Sequence, residues 1–239
     1  MSLSEDLAER LLGEIIDGTY PPDAALPPEA ELAEQAAVSR LTVREAVKQL
    51  RAQNVVRVVR GRGTYVNPPD RWTALEPVIR AASRASHTSL SERLIEARRL
   101  IENGATELAA LRRGESDLAE LREHLATMRE AADEADTEKF VQADIDFHAT
   151  VMRSTGNLFV PLLFEPFGPL LAEGRRETSA VPQIRVHAIA HHEAVLAALE
   201  SGDPDRAREA MNAHMNQTAT DYRTHVVKSA EQPSGPAAE

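Results

Sequence analysis

Leu3, Leu7, Leu11 and Ile15 recur every four residues, with Leu12 and Ile16 beside them. A stripe at that period runs along one side of an α-helix, and Gly18 ends it. The segment Tyr20 to Leu26 contains two prolines and reads as a turn. Glu29 to Ala36 predicts a short helix with Leu32 and Ala33 facing inward. Pro28 suits its first position, where a missing N–H costs little. Ala37 and Val38 turn the chain again. Ser39 then reads as the N-cap of a third helix, Arg40 to about Ala52. Leu41 or Val43, with Ala46, Val47 and Leu50, forms its inner face, while Arg40, Arg44, Lys48 and Arg51 share the outer one. The period shortens in VVRVVRGRGTYV. Val55–Val59 and Thr64–Val66 are strand-like, and Arg60-Gly61-Arg62-Gly63 can make the turn between them.

Asn67-Pro68-Pro69-Asp70 can continue neither strand nor helix, so it marks a boundary. Beyond it, apolar residues recur at three and four. Helices are expected over 73–84, 90–112, 116–134, 137–155, 158–174, 182–201 and 204–227. The fifth must be kinked or broken, because it holds Pro161, Pro166 and Pro169. The last residues, SAEQPSGPAAE, lack large apolar side chains and read as a disordered tail. The predicted fold is mainly α. Residues 1–66 form a winged helix-turn-helix with a small β-ribbon, 67–72 a linker, 73–228 an antiparallel all-α bundle of six to seven helices, and 229–239 the tail.

Composition narrows the function. The 239 residues suffice for two modest domains and include no cysteine, so disulfides, thiol catalysis and thiolate metal sites are excluded. A net charge of −11 and an aromatic content of 4% argue against a wholly basic nucleic-acid binder or a base-stacking single-strand platform. No apolar run approaches the ~18 residues of a membrane helix, and the N-terminus has no signal pattern. The expectation is a soluble cytoplasmic protein. The charge is uneven, however. Between Ser39 and Val66 there are seven basic residues and one acid, Glu45. Such a patch is an electrostatic footprint for DNA. A helix fits the major groove, guanidinium groups pair with guanine or phosphate, and wing glycines permit close approach.

The run LPPEAELAEQAAVSRLTVREAVKQLRAQNVVRVVRGRGTYV resembles the DNA-binding domain of GntR-type bacterial regulators, over roughly residues 5–66. The most specific pieces are VSRLTVREAV and GRGTYV. The resemblance implies that Arg40, Thr42 and Arg44, with Arg60 and Gly61 of the wing, contact an operator. Ser39, Lys48 and Arg62 complete the candidate surface. Three positions depart from the family pattern: Ala30 where a basic residue is frequent, Pro28 in place of a capping serine, and Asn54 in place of a glycine before the wing.

The later helices carry unusual chemistry. Asp144 and His148 stand four apart beside the apolar stripe of Phe140, Phe147 and Val151. Such a pair makes either a side-chain hydrogen bond or a one-face grip on a metal ion. His192 and His214 also phase inward, which favours a metal cage. Arg98 lies between Leu94 and Ile101 and points at the core. A buried guanidinium needs an anion: either an internal partner such as Glu102, or a ligand carboxylate.

The segment from about Leu90 to Val226 resembles the FCD effector domain of the FadR subfamily, through EARRLIENGATELAA, DIDFHATVMRSTGN and HHEAVLAALESGDPDRAREAMNAHM. The resemblance implies a divalent metal held by Asp144, His148, His192 and His214, the phasing favouring His192 over His191. It puts an effector on Arg98. Asn157 can line the pocket or cap a helix. His87, His124, His187 and His225 are expected at the surface. The implied protein is a homodimeric transcription regulator of the repressor kind, bound to a palindromic operator and controlled by a small carboxylic acid at zinc, nickel or manganese. The rival readings are a regulator sensing the metal itself and a metal-dependent enzyme.

Overall fold

A capping box opens the chain: Ser2 accepts from the Glu5 amide and Glu5 returns to the Ser2 amide, starting α1 (Leu3–Ile16). The computed structural model describes residues 2–85 and 87–227. The expected tail at 229–239 lies outside them. Two compact units divide the chain, the first ending at Leu90 and the second beginning at Ser91.

In the first unit, α1 is followed by α2 (Glu29–Gln35) and α3 (Arg40–Ala52). Leu7, Leu11, Leu32, Val43, Ala46 and Leu50 close a core between them. Val43 is fully buried and Leu41 is 67% exposed, which decides the inner face of α3. Strands β1 (Val56–Val59) and β2 (Gly63–Val66) pair antiparallel, with Val56 opposite Val66 and Val59 opposite Gly63. Gly61 and Gly63 turn the wing at φ +76° and +121°, a region that resists a β-carbon. Asn54 takes φ +57°. Asparagine tolerates the left-handed backbone that a glycine would otherwise supply, so this family departure leaves the turn intact.

The expected linker is packed. Trp72 and Asn67 are buried, and the Trp72 indole donates to Asn67 O at 2.9 Å. Helix α4 (Leu75–Ala85), expected in the helical domain, belongs to the first unit instead. Val78 and Ala81 pack on its core, while Arg80 and Arg84 pair with Glu9 and Asp17 of the α1 segment at 2.6 Å.

The second unit is helical: α5 (His87–Arg112) from Ser91 onward, α6 (Glu115–Asp133), α7 (Thr137–Ser154), α8 (Phe159–Phe164), α9 (Gly168–Ser179), α10 (Pro182–Ser201) and α11 (Pro204–Asp221). Short connections make hairpins of α6–α7 and α10–α11, and α10 also packs on α6. Leu121, Leu125, Met128, Phe140, Phe147, Val195, Leu199 and Met211 fill the centre. The expected helix 158–174 is broken into α8, a 3-10 turn at Glu165–Phe167 and α9. Pro166 and Pro169 each stand second in a new element, in a first turn that has no use for their missing N–H. The expected helix 204–227 ends at Asp221 and passes into a π-helical turn, Tyr222–Val227. Among the described residues, no helix is long and apolar enough to cross a membrane.

Candidate functional site

On α3 the Ser39 hydroxyl accepts from the Thr42 amide at 3.1 Å and meets the Thr42 hydroxyl at 2.9 Å. Arg40, Arg44, Lys48 and Arg51 are exposed along one side, as are Arg60, Gly61 and Arg62 at the wing tip. Arg44 is oriented by Glu29, whose carboxylate accepts from Nε at 2.7 Å. Lys48 pairs with Glu45 at 3.3 Å. Arg57 belongs to the structure rather than the surface: it binds Asp23, Asn67 and Val66 O, and sits over the Tyr65 ring.

The second unit brings Asp144 and His148 of α7 together with His192 of α10 and His214 of α11. All four are buried. Ring nitrogens of the three histidines lie within 4.8 Å of one another. His214 Nε2 is 3.3 Å from His148 Nε2, and Asp144 Oδ1 is 3.1 Å from His192 Nε2 and 3.9 Å from His148 Nε2. His191, next in sequence, is half-buried and stands outside this cluster. The neighbours fix two tautomers. His192 Nδ1 donates to Ala188 O at 2.7 Å, since a carbonyl only accepts. His148 Nδ1 faces the Glu102 carboxylate in close contact, so the proton lies on Nδ1. Both Nε2 atoms therefore carry lone pairs, and that of His192 is buried without a hydrogen-bond donor. Two imidazole lone pairs, a third imidazole and a carboxylate oxygen converging in a buried site fit a divalent cation. Burial pushes His148 down to about 4, against the pull of Glu102, and holds His214 well below the usual histidine range. Neutral imidazoles are the form that ligates metal.

Two carboxylate–guanidinium pairs flank the cluster. Arg98 Nε donates to Glu102 Oε1 at 2.7 Å, so the internal partner expected at i+4 is present. Glu102 thereby joins Arg98 to His148. The second pair is Arg175 Nε of α9 with Asp144 Oδ2, in close contact. Sequence reasoning missed Arg175; no local signal separates it from the exposed Arg176 beside it. Burial opposes the negative charges, yet Arg98 holds the Glu102 carboxyl, and Arg175 the Asp144 carboxyl, well below the usual range. Both terminal nitrogens of Arg175 are buried without a hydrogen-bond partner. They border a cavity lined also by Arg98, Asp144, His214, Gln217 and Asp221.

Asn157 does not line this cavity; its Oδ1 accepts from the Phe159 amide at 3.1 Å, starting α8. His187 is not a bare surface residue: Nδ1 lies 3.2 Å from the buried Asp221 carboxylate. His124 is half-buried, with Nε2 3.3 Å from the Thr150 hydroxyl. The side chain of His87 lies outside those described.

A three-helix head with a basic wing, joined in one chain to a helical domain, defines a DNA-binding transcriptional regulator. Residues 3–66 match the family described as bacterial regulatory proteins, gntR family, and residues 93–217 match the FCD domain. The galactonate operon transcriptional repressor of Escherichia coli (strain K12) is 35% identical over 60% of this chain. That match spans 63% of the repressor's length, less than two thirds. The putative L-lactate dehydrogenase operon regulatory protein of the same organism is 30% identical over 90% of this chain and 84% of its own. The solved structure of Lar, which controls the expression of the Listeria monocytogenes agr system, shares the fold at TM-score 0.59 and 21% identity, covering 94% of this chain and 99% of that one. The chain belongs to the GntR family of bacterial regulatory proteins and carries an FCD domain.

Proposed function

We propose that this protein is a homodimeric repressor whose operator affinity is set by a small organic acid bound beside a divalent ion in the helical domain. The carrying observation is the convergence of His148, His192, His214 and Asp144 next to the unpartnered Arg175 fork and Arg98. Nitrogen-rich ligation favours zinc or nickel and admits manganese. A bound cation would supply a Lewis-acid anchor for a ligand carboxylate. Arg98 and Arg175 give that carboxylate its charge-assisted hydrogen bonds. Ligand control needs different affinities in the DNA-bound and free states. Leu100 and Leu111 on α5 and Phe159, Leu162 and Leu163 on α8 are exposed apolar residues, which supports a buried interface between two copies. A two-fold dimer reads a palindromic operator.

The test compares metal-stripped and zinc-reloaded protein against a panel of carboxylic acids, reading melting temperature and operator binding. The expected result is stabilisation by one acid class only when zinc is present, with release of DNA. If zinc alone changes operator affinity and no acid does, the acid reading fails and metal sensing replaces it.

The DNA head is proposed to act through Ser39, Arg40, Thr42, Arg44, Lys48, Arg60, Gly61 and Arg62. Glu29 engages Nε of Arg44, which suits the outer edge of the guanidinium for a guanine. Arg44→Ala is expected to cost about 1–3 kcal/mol at the matched operator and to relax discrimination at one base pair. Titrations against the operator and a single-base variant check this. Equal losses on both sequences would make Arg44 a phosphate contact instead.

A further inference from the structure

The cavity beside the histidine cluster has a second kind of wall. Asp221, at the end of α11, and Gln217, one turn earlier, both line it. Asp221 is buried, with its oxygens 3.2 Å from His187 Nδ1 and 2.8 Å from Gln217 Nε2. These partners hold the carboxylate in place, and each oxygen keeps further lone pairs for a donor. Thr178, Ser179 and Thr218 also line this cavity, the Thr178 and Thr218 hydroxyls donating to main-chain carbonyls of their own helices. The site therefore offers two opposite demands. The Arg175 fork, with two buried unpartnered donors, asks for an anion. Asp221 asks for hydrogen-bond donors and repels one.

The charge balance says how many anions fit. The cavity is lined by the guanidinium groups of Arg98 and Arg175 and the carboxylates of Asp144 and Asp221, with the Glu102 carboxylate bound directly behind Arg98. These groups carry one excess negative charge. A divalent ion on the three neutral imidazoles turns that into one excess positive charge, which a single ligand carboxylate neutralises. A second ligand carboxylate overshoots and meets Asp221 in a low-dielectric interior.

We infer that Asp221, supported by Gln217, is a specificity-determining residue of this cavity, which selects for a ligand hydroxyl and against a second ligand carboxylate. The inference rests on the acid-sensing role proposed for this cavity. The ligand's carboxylate lies on Arg98 and Arg175, and a hydroxyl donates to Asp221. Discrimination comes from the repulsive element as much as from the attractive one.

Matched pairs of acids that differ only at one end test this: glycerate with tartronate, threonate with tartrate, gluconate with glucarate. In each pair a terminal CH2OH becomes a carboxylate. Each acid is titrated calorimetrically into zinc-loaded protein at pH 8, freed of excess zinc, for the wild type and Asp221→Asn. The wild type is expected to bind the monocarboxylate of at least one pair roughly tenfold or more tightly than its twin. Asp221→Asn is expected to erase most of that preference, its unliganded melting temperature reporting that it folds. A wild type that binds the dicarboxylate twin as well or better overturns the assignment, and so does an unchanged preference in the folded variant. Should Asp221→Asn not fold, Gln217→Met, which removes the residue that holds Asp221 in place, is titrated instead, and an unchanged preference in it overturns the assignment. Zinc-dependent binding of dicarboxylates sinks only the specificity assignment. No binding of any acid, with or without zinc, sinks the acid-sensing reading itself.

Discussion

Asp144→Ala is expected to lower the folding stability of the metal-stripped protein by about 3–5 kcal/mol, the range for removing one partner of a buried ion pair. Arg175 is 6% exposed and its Nε is held by Asp144 Oδ2. Its other two nitrogens already lack partners, and burial and the Arg98 charge both press its pKa down. With the carboxylate gone, the guanidinium keeps its desolvation cost and loses its compensation. The loss belongs to the stranded cation, not to the missing methylene and carboxyl contacts. Asp144→Ala combined with Arg175→Met removes the cation as well, and is expected to recover most of the stability. Denaturant unfolding of the wild type, both singles and the double gives the coupling energy. A double variant no more stable than Asp144→Ala would show that the pair does not hold this part of the bundle. The same carboxylate offers its other oxygen, Oδ1, to the histidine cluster. Zinc reloading should therefore stabilise the wild type far more than either Asp144 variant.

That pair marks the limit of what the sequence discloses. Helix positions are local information: apolar spacing puts a helix at 116–134 where the structure has α6 at 115–133, and another at 182–201, the bounds of α10. Asp144, His148, His192 and His214 are legible for the same reason, since each phases with its own helix's apolar stripe. Arg175 is not. It falls after residue 174, where the expected helix ended, but α9 continues to Ser179 and carries it inward. Arg176, its neighbour, is exposed and pairs with Glu138 at 2.9 Å. Two adjacent arginines with opposite fates differ only in the direction each takes from the helix axis, and the packing of α9 on α7 fixes that direction. Arg57 is the mirror case in the first unit. Counted as part of the basic patch, it is bound by Asp23 and Asn67, residues 34 and 10 positions away. Asn157 reads equally well as a pocket residue or a cap until the break at α8 supplies an amide for it to cap.

Glu102→Gln is expected to weaken zinc binding by about 10–100-fold, the range for residues that orient a metal's ligands without touching it. Glu102 joins α5 to α7 through two contacts, Oε1 to Arg98 Nε at 2.7 Å and Oε2 against His148 Nδ1. The second contact keeps the proton on Nδ1 and leaves the His148 Nε2 lone pair for a cation. Glutamine nearly preserves shape but replaces one acceptor by an amide donor. That donor must face either Arg98 or His148, and both already present N–H groups there. Turned toward His148, it favours the tautomer with the proton on Nε2, which cannot ligate. Turned toward Arg98, it leaves a buried guanidinium without its anion and disturbs the group proposed to hold the effector carboxylate. Glu102→Gln is thus expected to weaken both ligands at once, because one carboxylate serves the metal side and the acid side of the cavity. Competition against a chelator reads the zinc affinity, and titration of the preferred acid into the fully zinc-saturated variant reads the acid affinity separately. A loss in acid binding that persists at zinc saturation would establish Glu102 as a direct energetic link between the two, whereas unchanged zinc affinity would remove it from the metal's support.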